Sequence, residues 1–127
     1  MALIFDTNAL SAFADGSEAF LRVIKDVDDL ALPVIALGEY LYGVQQSRLR
    51  ARYERWLSAN LPLFDLLEVG RETAQRYADI RQELKSSGRP IPINDVWIAA
   101  LAREHGLPVL TRDSHFQAVD GIRVLTW

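Results

Sequence analysis

The chain has 127 residues, with 14 Lys and Arg against 17 Asp and Glu, a formal net charge of −3 and no cysteine. That length suits one domain over 1–127 with an ordinary core, and the lack of thiols excludes disulfides and thiolate zinc sites. The acidic balance argues against indiscriminate phosphate binding, and the absence of a leader or a bilayer-length apolar run predicts a soluble cytoplasmic protein with no membrane partner.

In chain order, the apolar run "ALIF" (2–5) predicts a buried strand, and a short helix follows Asn8. Helical patterns then occupy 17–27, 37–46, 48–60, 70–87 and 95–105, and further strands are expected at "LALPVIA" (30–36), "PLFDLLEV" (62–69), "LPVLT" (107–111) and "IRVLTW" (122–127). "SSGRPIP" (86–92) is the plainest loop, and Asn94 reads as the cap of the helix that follows it. Gly106 with Pro108 beyond it stops that helix in the usual way. Apolar runs alternating with segments of helical period indicate an α/β fold, a mostly parallel five-stranded sheet flanked by helices.

Acidic residues fall at strand ends. Asp6 follows the first strand, Glu39 lies just past the second, and Asp113 sits two residues beyond "LPVLT". Asp95 opens a helix antiparallel to that strand, so it belongs at the same rim. Ligands of parallel sheets bind outside the carboxyl ends of the strands. Two readings stand open. Asp6 and Asp95 suit helix starts, and Asp113 suits a turn. Alternatively, the four carboxylates converge, and a divalent cation offsets the cost of ionising them side by side. Oxygen donors without cysteine favour Mg²⁺ or Mn²⁺ over Zn²⁺, and such a centre fits phosphodiester hydrolysis.

Thr7, Asn8 and Thr111 are uncharged hydrogen bonders beside the acids, and Arg112 is a candidate contact for phosphate or a structural ion pair. His115 stands near enough to support the site, and neither histidine is chosen as a ligand. Gly43, four residues after Glu39, shares its helix face and leaves room for substrate. In "RLRARYER" (48–55), Arg48, Arg52 and Arg55 are spaced to share a helix face. That face is either solvated or suited to bidentate contacts with phosphates or the carboxylates of an acidic partner segment.

The stretches "IFDTNAL", "ALGEYLYGV", "PINDVWIAALAREHGLPVLTRDSHF" and "GIRVLTW" resemble the PIN-domain nucleases, specifically the VapC-type toxins of bacterial toxin–antitoxin pairs. The resemblance runs in order through essentially the whole chain. It implies a three-layer fold, a parallel sheet between helices. It also implies that Asp6, Glu39, Asp95 and Asp113 hold Mg²⁺ or Mn²⁺, which activates water to cut single-stranded or looped RNA. Such toxins pair into homodimers and are held inactive by a VapB-type antitoxin, whose C-terminal segment occupies a groove near the site. The order DTN at 6–8, rather than DTS, is the one variation noted.

Two other functions compete. An aspartate-based phosphotransfer domain also places an acid after its first strand, but it needs a second Asp two residues on, where this chain has Asn8, and a lysine at a later strand end. A catalytically silent module that binds RNA or protein has no need of four carboxylates.

Overall fold

The computed structural model describes residues 2–127. The elements are β1 (Ala2–Phe5), α1 (Thr7–Ala14), α2 (Glu18–Ile24), β2 (Asp29–Pro33), α3 (Val34–Gln45), α4 (Arg50–Asn60), β3 (Phe64–Leu67), α5 (Arg71–Ser87), α6 (Ile93–His105), β4 (Val109–Leu110) and β5 (Val124–Leu125). Short 3-10 turns cover Leu61–Leu63 and Ser114–Ala118. The five strands form one sheet in the order β3-β2-β1-β4-β5, and every pairing is parallel. The parallel α/β architecture expected from the alternation is the one observed, with helices flanking the sheet as the resemblance implied.

Strand order decides where a site can form. From β1 the chain moves outward through β2 to β3, then returns to place β4 on the other side of β1. The order reverses between β1 and β4, and such a reversal opens a crevice beyond the carboxyl ends of the two strands. Asp6 follows β1 directly and Thr111 follows β4.

The floor of that crevice is rigid because the end of β1 is locked into an aromatic cluster. The Phe5 ring meets Phe20 and Phe64 edge-on, each at 5.3 Å between centroids, and Phe13 at 6.0 Å. Phe20 in turn takes the edge of Trp127 at 5.1 Å. Edge-to-face pairs of this kind add about 0.5–1.5 kcal/mol each beyond their burial. They fix the backbone from which Asp6 projects.

Two helices, α3 and α6, begin earlier than expected, each directly after a proline. The second apolar run does not stay extended to Ala36, because Pro33 ends the strand at φ −61° and ψ 138° and Val34 begins α3. Pro92 likewise precedes α6 at φ −55° and ψ 144°. The amides of Asp95 and Val96 both donate to its carbonyl, at 3.0 and 3.2 Å. Asn94 therefore lies inside the first turn and is not its cap. Each proline pre-sets the entry angle of its helix; the first turn of α3 is in addition apolar, and an apolar run alone cannot distinguish such a turn from a strand.

The helix expected from residue 48 begins instead at Arg50, so Arg48 lies in the preceding turn and only Arg52 and Arg55 share an α4 face. All three are exposed. Of the aromatic and aliphatic residues beside them, Tyr40 and Leu57 are core, Tyr53 and Trp56 are half-buried, and Tyr42 points outward at 68% exposure. Among the described residues, no helix is long and apolar enough to cross a membrane.

Gly43 lies inside α3, and a Cβ built there meets nothing within 4 Å. Glycine in a helix interior costs roughly 0.5–1 kcal/mol relative to alanine. Gly43→Ala is therefore expected to raise stability by about that amount, read from chemical denaturation midpoints at constant slope. An unchanged or lowered midpoint contradicts the open space.

Candidate active site

Asp6 is 4% exposed at the end of β1. One carboxylate oxygen accepts the Ala9 amide at 2.9 Å, which caps α1, and the other accepts the Thr111 hydroxyl. The side chain is thus a helix cap and a member of the crevice at once. Burial, with added repulsion from Asp95 and Asp113, raises its pKa from 3.8 to about 6 despite those two hydrogen bonds. A carboxylate left that close to neutrality is poised for a positive partner.

Thr111, 1% exposed, joins two strand ends. Its hydroxyl donates to Asp6 and accepts the Asp113 amide at 2.8 Å. Asp113 then caps the 3-10 turn at Ser114–Ala118 by accepting the His115 amide at 2.9 Å. This tight turn brings the His115 ring back over the acids. Its Nδ1 lies 2.9 Å from Asp95 Oδ2 and 2.8 Å from Asp113 Oδ1. The hydrogen bond to Asp95 and the nearby negative charges raise the histidine pKa above its usual 6.5. Asp95, in the first turn of α6, is also raised, chiefly by burial.

Glu39 reaches the cleft from α3, and Thr7 orients it by donating its hydroxyl at 2.7 Å. Asp6, Glu39, Asp95 and Asp113 line one cleft of about 460 Å³, together with Thr7, Asn8 and His115. Ligand atoms of Asp95, Asp113 and His115 all lie within 4.8 Å of one another. Hard oxygen donors around one imidazole match a divalent cation far better than an apolar ligand.

Arg112 is not among the residues lining the cleft. Its Nε donates to the Trp127 carbonyl at 3.0 Å, and its guanidinium lies 4.9 Å from the centre of that indole ring. In this structure it holds Trp127 in place. Arg112→Ala is expected to lower stability by about 1 kcal/mol, through loss of the ring contact and one hydrogen bond. A melting comparison at neutral pH tests this, and an unchanged melt contradicts it. Arg48, Arg52 and Arg55 do not line the cleft either.

Sequence reasoning underweighted His115. The available signal was "DSH", an aspartate followed by a residue pair short enough to fold its histidine back onto it.

A family model described as PIN domain matches residues 3–122. This chain belongs to the PIN-domain family. Among PIN-domain relatives, Ribonuclease VapC5 of Mycobacterium tuberculosis is 34% identical over 121 residues, covering 93% of this chain and 87% of that protein. The tRNA(fMet)-specific endonuclease VapC of Shigella flexneri is 29% identical over 99 residues, covering 77% of this chain and 75% of that protein. A crystal structure of VapBC-5, a Mycobacterium tuberculosis member of the VapBC family of toxin–antitoxin systems, superposes with a TM-score of 0.79 at 32% identity. It covers 99% of this chain and 98% of the matched one. The architecture and the switch-point crevice are therefore those of a PIN domain.

Proposed function

We propose that this PIN domain, acting as a single unit over 1–127, is a metal-dependent endoribonuclease toxin of the cytoplasm, neutralised by a VapB-type antitoxin. The observation that carries the reading is the convergence of Asp6, Glu39, Asp95 and Asp113 on one cleft, with Asp6 pushed to about 6. The names of the relatives support the ribonuclease and antitoxin assignments. The same proposal includes a homodimer.

The four carboxylates would hold the cation, Mg²⁺ or Mn²⁺, with His115 beside them. When bound, it supplies the charge that lowers the pKa of water and offsets charge developing on the phosphate. Thr111 keeps Asp6 and Asp113 at a fixed separation, and Thr7 holds Glu39 toward the cleft. His115, shared between Asp95 and Asp113, carries a proton at the edge of the cleft when no cation replaces it. At 43% side-chain exposure it can exchange that proton with solvent.

Purified, antitoxin-free protein is incubated with total cellular RNA and Mn²⁺ or Mg²⁺, and the new 5′ ends are sequenced. EDTA and Asp6→Asn reactions run beside it. Discrete cuts that need both metal and Asp6 are expected. No metal-dependent cutting by folded protein sinks the nuclease reading and favours the catalytically silent binding module.

A further inference from the structure

A groove of about 550 Å³ runs between α5 and the start of α6, and it meets the acidic cleft at Ile93, which lines both. The two differ in charge. Among the described residues, four acids line the cleft and no Lys or Arg does, whereas Arg81 and Lys85 line the groove and no Asp or Glu does. Building on the nuclease reading, we propose that this groove is a track for single-stranded RNA, in which phosphates flanking the scissile one contact Arg81 and Lys85.

Three observations point to a polyanion there. Arg81 and Lys85 stand one turn apart on the same face of α5, and like charges at that spacing weaken a helix. Lys85 by itself would suit the last turn, but Arg81 lies a turn earlier. Other charges of α5 are paired, Arg76 with Glu72 at 2.9 Å and Glu83 with Arg103 at 2.8 Å. Among the described residues, Arg81 and Lys85 form no ion pair. In a chain of net charge −3, affinity for phosphates has to come from such a local concentration.

Arg81 is also held in place. Its Nη1 donates to the Tyr77 hydroxyl at 3.0 Å, and its guanidinium carbon lies 5.7 Å from the centre of that ring. Tyr77 stacks in turn on Trp97 at 3.9 Å, with 19° between the ring planes. Trp97 follows Asp95 by two residues in α6, so one helix carries an acid of the cleft and the support of the groove's arginine. The guanidinium keeps donors in a fixed fork that suits phosphate oxygens.

The third observation is the opposite side of the groove, where Pro90, Ile91 and Ile93 are apolar and Ile93 is 45% exposed. Sugars and base faces can rest on that side while phosphates lie along α5. A small anion would use neither the apolar side nor the length of the groove. RNA is favoured over an acidic peptide because a strand held at the cleft has to leave it, and cleft and groove join at Ile93.

The test measures the anisotropy of a short fluorescein-labelled single-stranded RNA of mixed sequence at one fixed, low Mg²⁺ concentration. Every protein carries Asp6→Asn so that the probe stays whole. Each phosphate neutralised on a single strand steepens the fall of log affinity with log salt by about 0.7. Arg81→Gln with Lys85→Gln should therefore make that slope shallower by about 1.4. From about 50 to 200 mM salt, the protein that keeps both cations should lose about sevenfold more affinity than the one that lacks them. Arg22→Gln with Lys25→Gln removes the same charge at exposed positions that line neither cleft nor groove, and should leave the slope as it was. A shallower slope with unchanged size on gel filtration supports the track. An unchanged slope, or an equal change in the control, overturns it. A smaller size for the groove variant makes the groove an interface between copies and overturns the RNA assignment whatever the slope.

Cut-site sequencing of protein that retains Asp6 separates this inference from the reading beneath it. Metal-dependent cutting, with an unchanged slope in the groove variant, overturns the track and leaves the nuclease standing. A shallower slope in a protein that cuts nothing does the reverse.

Discussion

Asp6→Asn protein is expected to fold, and to lose metal-dependent RNA cleavage by a factor on the order of 10²–10³, the usual cost of removing one group that stabilises transition-state charge. Folding should survive because asparagine is as good a helix cap as aspartate, and its carbonyl can still accept the Ala9 amide that Asp6 now holds at 2.9 Å. The bond to Thr111 is weakened, since the amide nitrogen replaces an acceptor. Against that loss stands the relief of a buried charge crowded by Asp95 and Asp113. Without metal at pH 7.5, the variant should exceed the parent in stability by about 1 kcal/mol. Cleavage is read by 5′-end sequencing and stability by thermal melting in EDTA. A metal-free variant that melts well below the parent contradicts the crowded-acid account, whatever its activity.

The second large effect is the pH dependence of that same difference. Asp6 has its folded-state pKa raised from 3.8 to about 6. Between those values the folded state binds more protons than the unfolded state, so stability falls as pH rises across that window and is flat above it. The full span is worth on the order of 3 kcal/mol. Asp95 is raised above 3.8 and acts in the same direction. His115 is raised above 6.5, so its contribution is complete below 6.5 and is lost as pH climbs through the raised value. In all three the sign is the same.

Metal-free parent should therefore lose stability relative to Asp6→Asn as pH goes from 4 toward 6. Taking the difference cancels groups that titrate alike in both. Saturating Mg²⁺ or Mn²⁺ at pH 7.5 should reverse the order. A cation at a hundred times its dissociation constant stabilises the parent by about 2.7 kcal/mol. Melts with metal and with EDTA at pH 4.5, 6 and 7.5 check both statements. A flat difference across pH, or no shift on adding metal, removes the reason for treating these acids as a cation site.

Much of this arrangement could be read along the chain, because it depends on local pattern. The run "ALIF" is apolar at every position, as a strand buried on both faces must be. The alternation with helical periods required a parallel sheet, and parallel sheets put strand ends on one rim. That logic alone sent Asp6, Glu39, Asp95 and Asp113 to the same edge, where they line one cleft. Gly106 likewise announced the end of α6, where its φ of 65° is easy only for glycine.

Contacts between residues distant in sequence were decided only by the fold. That Asp6 both caps α1 and faces the acids could not be chosen from "FDTN", since either duty alone justifies an aspartate there. The Thr111 tether spans 105 positions, and no spacing rule reaches that far. Arg112 turned away from the acids because Trp127 offered a carbonyl and a ring face within its reach. His115 joined Asp95 because a 3-10 turn at Ser114 swung its ring over the cleft. Local sequence determines which residues end strands and start helices, since steric and hydrogen-bonding preferences act over a few residues. Which of them share a proton or a wall is decided by packing, because the partners are brought together only when the sheet and its helices close around one core.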